Sequence, residues 1–277
     1  MRERGCPVQM KSSSSRSLRK VMGPAAGLAV FASMVAIALC LSSPVFAANQ
    51  TFLRTYPLNS GGCFLLENVN GSVRVEGWER DVVEVRAVKS SLGDPRDLDR
   101  VRIAVVSEPG EVAVRTLYPE GQGVEVAVEY VIHVPYRVLL DSIDTVNGSV
   151  VVRGVQGRGD LRSVNGNVEV LNSSGRFSAR TTNGDLHLEL RKLLDGGPVN
   201  IQTVNGSVFL GLPSNARADL KVLNMNGDFV SELPVVSTAG TFSSRVFRAR
   251  LGDGGGGQIS VRTINGGIHL VRERPSV

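Results

Sequence analysis

The sequence predicts an all-β protein, a parallel β-solenoid (β-helix-like) of about 18–22-residue coils over residues 141–277, preceded by an antiparallel β capping segment over residues 48–140. Three observations predict it. Asn-Gly pairs recur at a period near 20 residues, apolar residues hold a fixed phase around each pair, and residues 82–140 alternate apolar and polar side chains without that period.

Residues 1–47 stand apart as a signal peptide. Arg2, Arg4, Lys11, Arg16, Arg19 and Lys20 form a basic stretch, "AAGLAVFASMVAIALCL" an apolar one, and Val45-Phe46-Ala47 supplies small side chains for cleavage after Ala47. Met10 is an alternative start. The apolar run from Ala25 to Leu41 falls short of the roughly 20 residues a membrane-spanning helix needs, so no membrane span is expected after cleavage. "IALC" resembles a lipidation site at Cys40, although Leu39 stands where such sites want a small residue.

This leader explains the formal charge of +5. It holds six basic residues and one acidic one, and the remaining chain carries 25 of each. A balanced mature chain removes the composition-level case for nucleic acid or an anionic membrane as partner. It also keeps only Cys63, so no internal disulfide can form there, and a lone Cys between Gly62 and Phe64 reads as a small core residue.

The Asn-Gly pairs begin at Asn70, Asn147, Asn165, Asn183, Asn205, Asn226 and Asn265. Three residues after each Asn stand Val73, Val150, Val168, Leu186, Val208, Phe229 and Ile268, and five after stand Val75, Val152, Val170, Leu188, Leu210, Ser231 and Leu270. Four before are Leu66, Ile143, Leu161, Ala179, Ile201, Val222 and Val261. These columns face inward. The mixed column four after (Arg74, Val151, Glu169, His187, Phe209, Val230, His269) faces out. Asn-Gly is also a type I′ hairpin signal, so a meander of hairpins is the rival fold. A meander reverses successive strands and does not require columns in phase. Parallel coils about 4.8 Å apart stack identical residues and let an Asn column hydrogen-bond as a ladder. The final gap of 39 residues fits two coils with one degenerate, and the first gap of 77 has a different texture.

Exposed solenoid ends would polymerise unless covered. The runs "VVEVRAVKS", "VRIAVV", "EVAVRTLY" and "VEVAVEYVIHVP" suit that task, with a hairpin turn at Pro109-Gly110 and one helical turn in "LGDPRDLDR". "LLDGG" and "LGDGGGG" read as bulged corners.

Catalytic chemistry is sparsely supplied. The chain has three His and no HExxH, GxSxG, P-loop or CxxC, so no enzyme activity, catalytic residue, metal or cofactor is expected. Its best titratable cluster is Asp185, His187 and Glu189 on one strand with Glu169 in the adjacent column; such a set could bind a metal or assist acid–base chemistry, and it equally describes a solvated strand face. Sequons at Asn70, Asn147 and Asn205 coincide with the turn Asn of the repeat, which accounts for them without glycan.

"ENVNGSVRVEGWERDVVEV", "YVIHVP", "LPSNARADLKVLNMNGDFVSELP" and "GGGGQISVRTINGGIHL" resemble the putative adhesin family, a domain-of-unknown-function group of exported β-repeat proteins, across nearly all of the mature chain. The resemblance implies a β-solenoid at the cell envelope and no catalytic residues to carry over. The expected function is that of an exported, non-enzymatic envelope or surface protein, in the periplasm, at the cell surface or outside the cell, presenting a solenoid face to an envelope protein or glycan. The alternatives are a carbohydrate-active β-helix enzyme, for which the Glu169, Asp185, His187 and Glu189 cluster would line a groove, and a purely structural envelope component.

Overall fold

The computed structural model describes residues 48–91, 93–119, 123–193, 199–241 and 245–273. The leader, with Met10 and Cys40, lies outside the described residues, as does most of the "LLDGG" corner. From the N-terminus come β1 (Ala48–Pro57), β2 (Cys63–Glu67), β3 (Val73–Trp78) and β4 (Val82–Ser91), the single turn α1 (Asp97–Arg100), then β5 (Arg102–Glu108), β6 (Glu111–Leu117) and β7 (Val126–Pro135). The repeats contribute β8 (Arg137–Asp144), β9 (Val150–Arg153), β10 (Gln156–Arg162), β11 (Val168–Arg180), β12 (Leu186–Leu193), β13 (Val199–Gln202) and β14 (Val208–Leu212). The chain continues through β15 (Ala218–Asn226), β16 (Phe229–Ser231), β17 (Val235–Ala239), β18 (Val246–Leu251), β19 (Gln258–Asn265) and β20 (Ile268–Arg272). All twenty strands join one continuous, largely parallel sheet that winds in a solenoid-like manner.

Each repeat places one strand before its Asn-Gly corner and one after. After the corner, Val150, Val168, Leu186, Val208 and Ile268 are successive parallel partners. Before it, Ile143, Leu161, Ala179, Ile201 and Val261 are partners in turn. A period of 2 within a strand sends alternate side chains inward, and every member of those two runs is buried. The hairpin rival is thereby excluded: neighbours around Asn165 and Asn183 run parallel, and of the described non-glycine residues only Asn172 has positive φ, whereas a type I′ turn needs it at the Asn.

Both ends depart from chain order. At the N-terminal end β2 and β3 do not lie in an antiparallel layer; they pair in parallel with β8 and β9, so Asn70 stacks directly on Asn147. The later β6 and β7 stack on their other side, also in parallel. Antiparallel pairing is confined to β1–β4, β4–β7 and β5–β6, the last across the expected Pro109-Gly110 turn. At the C-terminal end, the strands around Asn265 pair with those around Asn205, and the earlier strands around Asn226 pair outside them. No degenerate coil fills the 39-residue gap; β17 and β18 instead pair antiparallel and attach to β15.

The helical turn has a specific anchor. Lys89 is buried on β4 and its Nζ donates to the carbonyls of Leu98 (2.7 Å) and Val101 (3.0 Å), the C-terminal end of α1. Burial pushes the Lys89 pKa down, and these two carbonyls supply the partners a buried ammonium requires.

Candidate functional site

The repeat corner is built from four consecutive roles in [Thr/Ser]-x-Asn-Gly-[Ser/Asn/Asp]. At the first position the buried hydroxyls of Thr145, Ser163, Thr181, Thr203 and Thr263 donate to the carbonyls of Gly71, Gly148, Gly166, Gly184 and Gly206 on the preceding coil, at 2.8–3.1 Å. The Asn side chains form one ladder in the spatial order Asn70, Asn147, Asn165, Asn183, Asn205, Asn265, Asn226, each Nδ2 donating to the previous Oδ1 at 2.7–2.8 Å. Glycine follows because the backbones nearly touch: a Cβ on Gly206 would collide with the carbonyl oxygen of Gly184, and one on Gly184 with that of Gly166. Fifth, the oxygens of Ser149, Asn167, Asp185 and Ser207 accept the backbone N–H of the next coil.

This accounting changes the status of Asp185. Its Oδ1 accepts from the N–H of Ser207 at 2.7 Å, so it is a rung of the corner. Of the other cluster members, His187 Nε2 lies 3.0 Å from Glu189 Oε1, and Glu169 is the register partner of His187. Among the described residues no three His, Cys, Asp or Glu side chains are grouped to hold a metal. His187 packs edge-on to Phe209, whose ring stacks on His269 at 4.9 Å and 9°.

Cys63 also differs from expectation. Phe64 points inward, and Cys63 lies half-buried on the outer side of β2, where burial first, then Asp141 and Glu111, push its thiol pKa up. That is the opposite of a reactive thiolate's setting.

The feature that the sequence reading passed over is the outer face of the strands before the corner. Register brings Arg158 beside Arg176, Asp160 beside Ser178, and Arg162 beside Arg180, then Gln202, then Arg262. A cavity of about 530 Å³ runs along the Arg162–Arg262 row beneath Val146, Val164 and Val204, and a second of about 250 Å³ lies among Asp141, Arg158, Asp160, Arg176 and Ser178. The available signal was the column three before each Asn, which in spatial order reads Glu67, Asp144, Arg162, Arg180, Gln202, Arg262 and Leu223, its cations grouped in the middle. Asp144 borders it; burial pushes its carboxyl pKa up.

Comparison with known proteins supplies a family model and several folds. Residues 141–270 match the model described as Toastrack DUF4097. No curated protein matches the chain. Among solved structures it is similar to a putative cell adhesion protein from Clostridium sporogenes ATCC 15579, at 12% identity and TM-score 0.46, covering 82% of this chain and 99% of that one. A putative adhesin from Bacteroides fragilis NCTC 9343 follows at 11% identity and TM-score 0.41, over 80% and 97%. A putative lipid binding protein from Parabacteroides distasonis ATCC 8503 aligns at 8% identity and TM-score 0.30, over 80% and 97%. Among the described residues no helix is long and apolar enough to cross a membrane.

Proposed function

We propose, for a chain whose residues 141–270 are a Toastrack DUF4097 domain of an adhesin-like family of unknown function, a non-enzymatic binding role at the cell envelope or surface. In this proposal the coils of about 18–22 residues make a solenoid covered at its ends by antiparallel strands, exported through the leader and presenting a strand face to an envelope partner. One observation carries it. The corner polar groups, Asp185 among them, are bonded coil to coil, and the remaining His–carboxylate groups are the exposed His187–Glu189 pair with Glu169 alongside and His133 between Glu76 and Glu84, its ring stacked on Trp78. Both groups sit on outward strand faces open to solvent, whereas hydrolysis or elimination needs an enclosed reacting position. A regular, extended surface is what repeat proteins use for binding.

The test couples cell fractionation with N-terminal mass spectrometry, a binding screen against envelope proteins and glycans, and hydrolase and lyase assays with and without divalent metal. Saturable binding without turnover is the expected result. Turnover lost in His187→Ala would overturn the proposal in favour of a carbohydrate-active enzyme, and an intact Met1 in the cytoplasm would overturn the location.

A further inference from the structure

The two outer strand faces carry different chemistry. After the corner the outward row reads Arg74, Val151, Glu169, His187, Phe209 and His269, with Glu76 and Glu189 two residues further on. Before the corner, β10, the second half of β11, β13 and β19 turn outward Arg158, Arg162, Arg176, Arg180 and Arg262 against the carboxylate of Asp160, with Asp141 and Asp144 of the adjoining β8 at the edge of the face. A mature chain with 25 residues of each sign has thus concentrated guanidinium groups on one face.

We propose that this face binds a linear acidic polysaccharide lying along the stacking axis, an assignment that rests on the binding role proposed above and names its site and partner. Parallel strands are about 4.8 Å apart, so the row Arg162, Arg180, Gln202, Arg262 spans about 14 Å with cations at its first, second and fourth rungs. Each planar guanidinium matches the two oxygens of a carboxylate, and a uronate chain carries one carboxylate per ring. Between the Arg rows, the row that Asp160 opens continues with Ser178, Asn200 and Ser260, which supply hydroxyl and amide partners for ring hydroxyls. The cavity of about 530 Å³ along the Arg162–Arg262 row gives the chain a concave bed. The outward residues of these four strands include no aromatic side chain, so bases would find nothing to stack on. A fatty acid would need its charge at one end of an apolar track, whereas here the cations run alongside the aliphatic edge of Val146, Val164 and Val204.

Asp160 sets the resting state of the site. Its Oδ2 lies 2.7 Å from Arg162 Nη2 and 3.8 Å from Arg180 Nη1, so an arriving carboxylate competes with it for both guanidinium groups. Binding measured by calorimetry with polygalacturonate should weaken about tenfold or more in an Arg162→Gln/Arg180→Gln double variant, strengthen in Asp160→Asn, and fall with added salt. Arg74→Gln, on the other face, should leave it unchanged. Neutral dextran, polyglutamate and a single-stranded oligonucleotide serve as comparison ligands, and thermal melting verifies that each variant is folded. No binding of polygalacturonate, equal or tighter binding of polyglutamate or the oligonucleotide, or indifference to the double variant would overturn the assignment. Retention of the envelope partner found in the screen by that variant would overturn it too, while leaving the binding role standing; failure to bind any envelope material would take both.

Discussion

The Asn-Gly corner and the strand faces both meet solvent and both carry polar residues, yet their side chains do opposite work. Asn147, Asn165, Asn183 and Asn205 stand in water and are bonded on both sides by their own column. Arg162 and Arg180 also meet solvent, and what holds them is the shared carboxylate of Asp160, which an arriving anion can replace. The contrast separates two reasons for a polar residue on a repeat surface: bonding one coil to the next, or meeting a partner. Exposure alone does not distinguish them; the direction of the hydrogen bonds does.

Substitutions at corner and face test this contrast. The largest effect removes what corner and faces share: Leu186→Asp or Val168→Asp puts a lone carboxylate in a fully buried column, should cost several kcal/mol, and should abolish the cooperative melting transition followed by circular dichroism. Next comes the corner backbone. Gly184→Ala forces a Cβ against the Gly166 carbonyl, a rigid neighbour, and denaturant unfolding should show a loss of about 1–3 kcal/mol or more. Asn183→Ala removes two ladder bonds of 2.8 Å at an exposed site and should cost about 1 kcal/mol in the same experiment, whereas Glu169→Ala on the neighbouring face should stay within about 0.5 kcal/mol.

The smallest effect sits where corner and face meet. Asp144 has a half-buried carboxyl whose Oδ1 lacks a partner among the described residues, and burial raises its pKa above the unfolded value. A group with a raised pKa favours the folded state when protonated. Its contribution is therefore fully present below the unfolded pKa near 3.9 and is lost as pH rises through the folded value. Asp144→Asn removes that loss, so the neutral-pH melting temperature should rise slightly, by the equivalent of about 0.5 kcal/mol or less, and the acid-side pH dependence of stability should flatten.

Much of the middle of the fold was legible because the repeat is in phase. The columns led by Val150 and Ile143 were assigned inward from spacing alone, and the Asn ladder follows from identical residues stacking in parallel coils. The hydroxyl two residues before each Asn was visible as a pattern, but its task depends on a Gly carbonyl of the neighbouring coil, which single-chain periodicity does not reveal. The ends were misjudged for a related reason. Asn265 and Asn226 both head an Asn-Gly pair, and they differ locally in the hydroxyl of Thr263, which bonds Gly206, where Asn224 stands in the other unit; chain order alone gave Asn226 the place on Asn205 that long-range pairing of β13 with β19 gives to Asn265. Cys63 was assigned to the core from its neighbours' character, whereas the strand's period of 2 gives the interior to Phe64. The arginine face escaped notice because attention went to titratable clusters within single strands, and its residues come together only across strands.

The exchange of order at the two ends restricts how such a molecule can change its length. Residues 218–231 are the parallel neighbours of residues 258–272, which follow them in the chain, and β6 and β7 are the parallel neighbours of the earlier β2 and β3, so each end is fastened by a segment taken out of chain order. A truncation after residue 257 would strip the seat from the preceding forty residues rather than shave off one coil. Duplication or loss of a unit is tolerable only between residues 141 and 212, where chain order and spatial order agree. The protein is a ruler with fixed end-pieces, adjustable only in its middle.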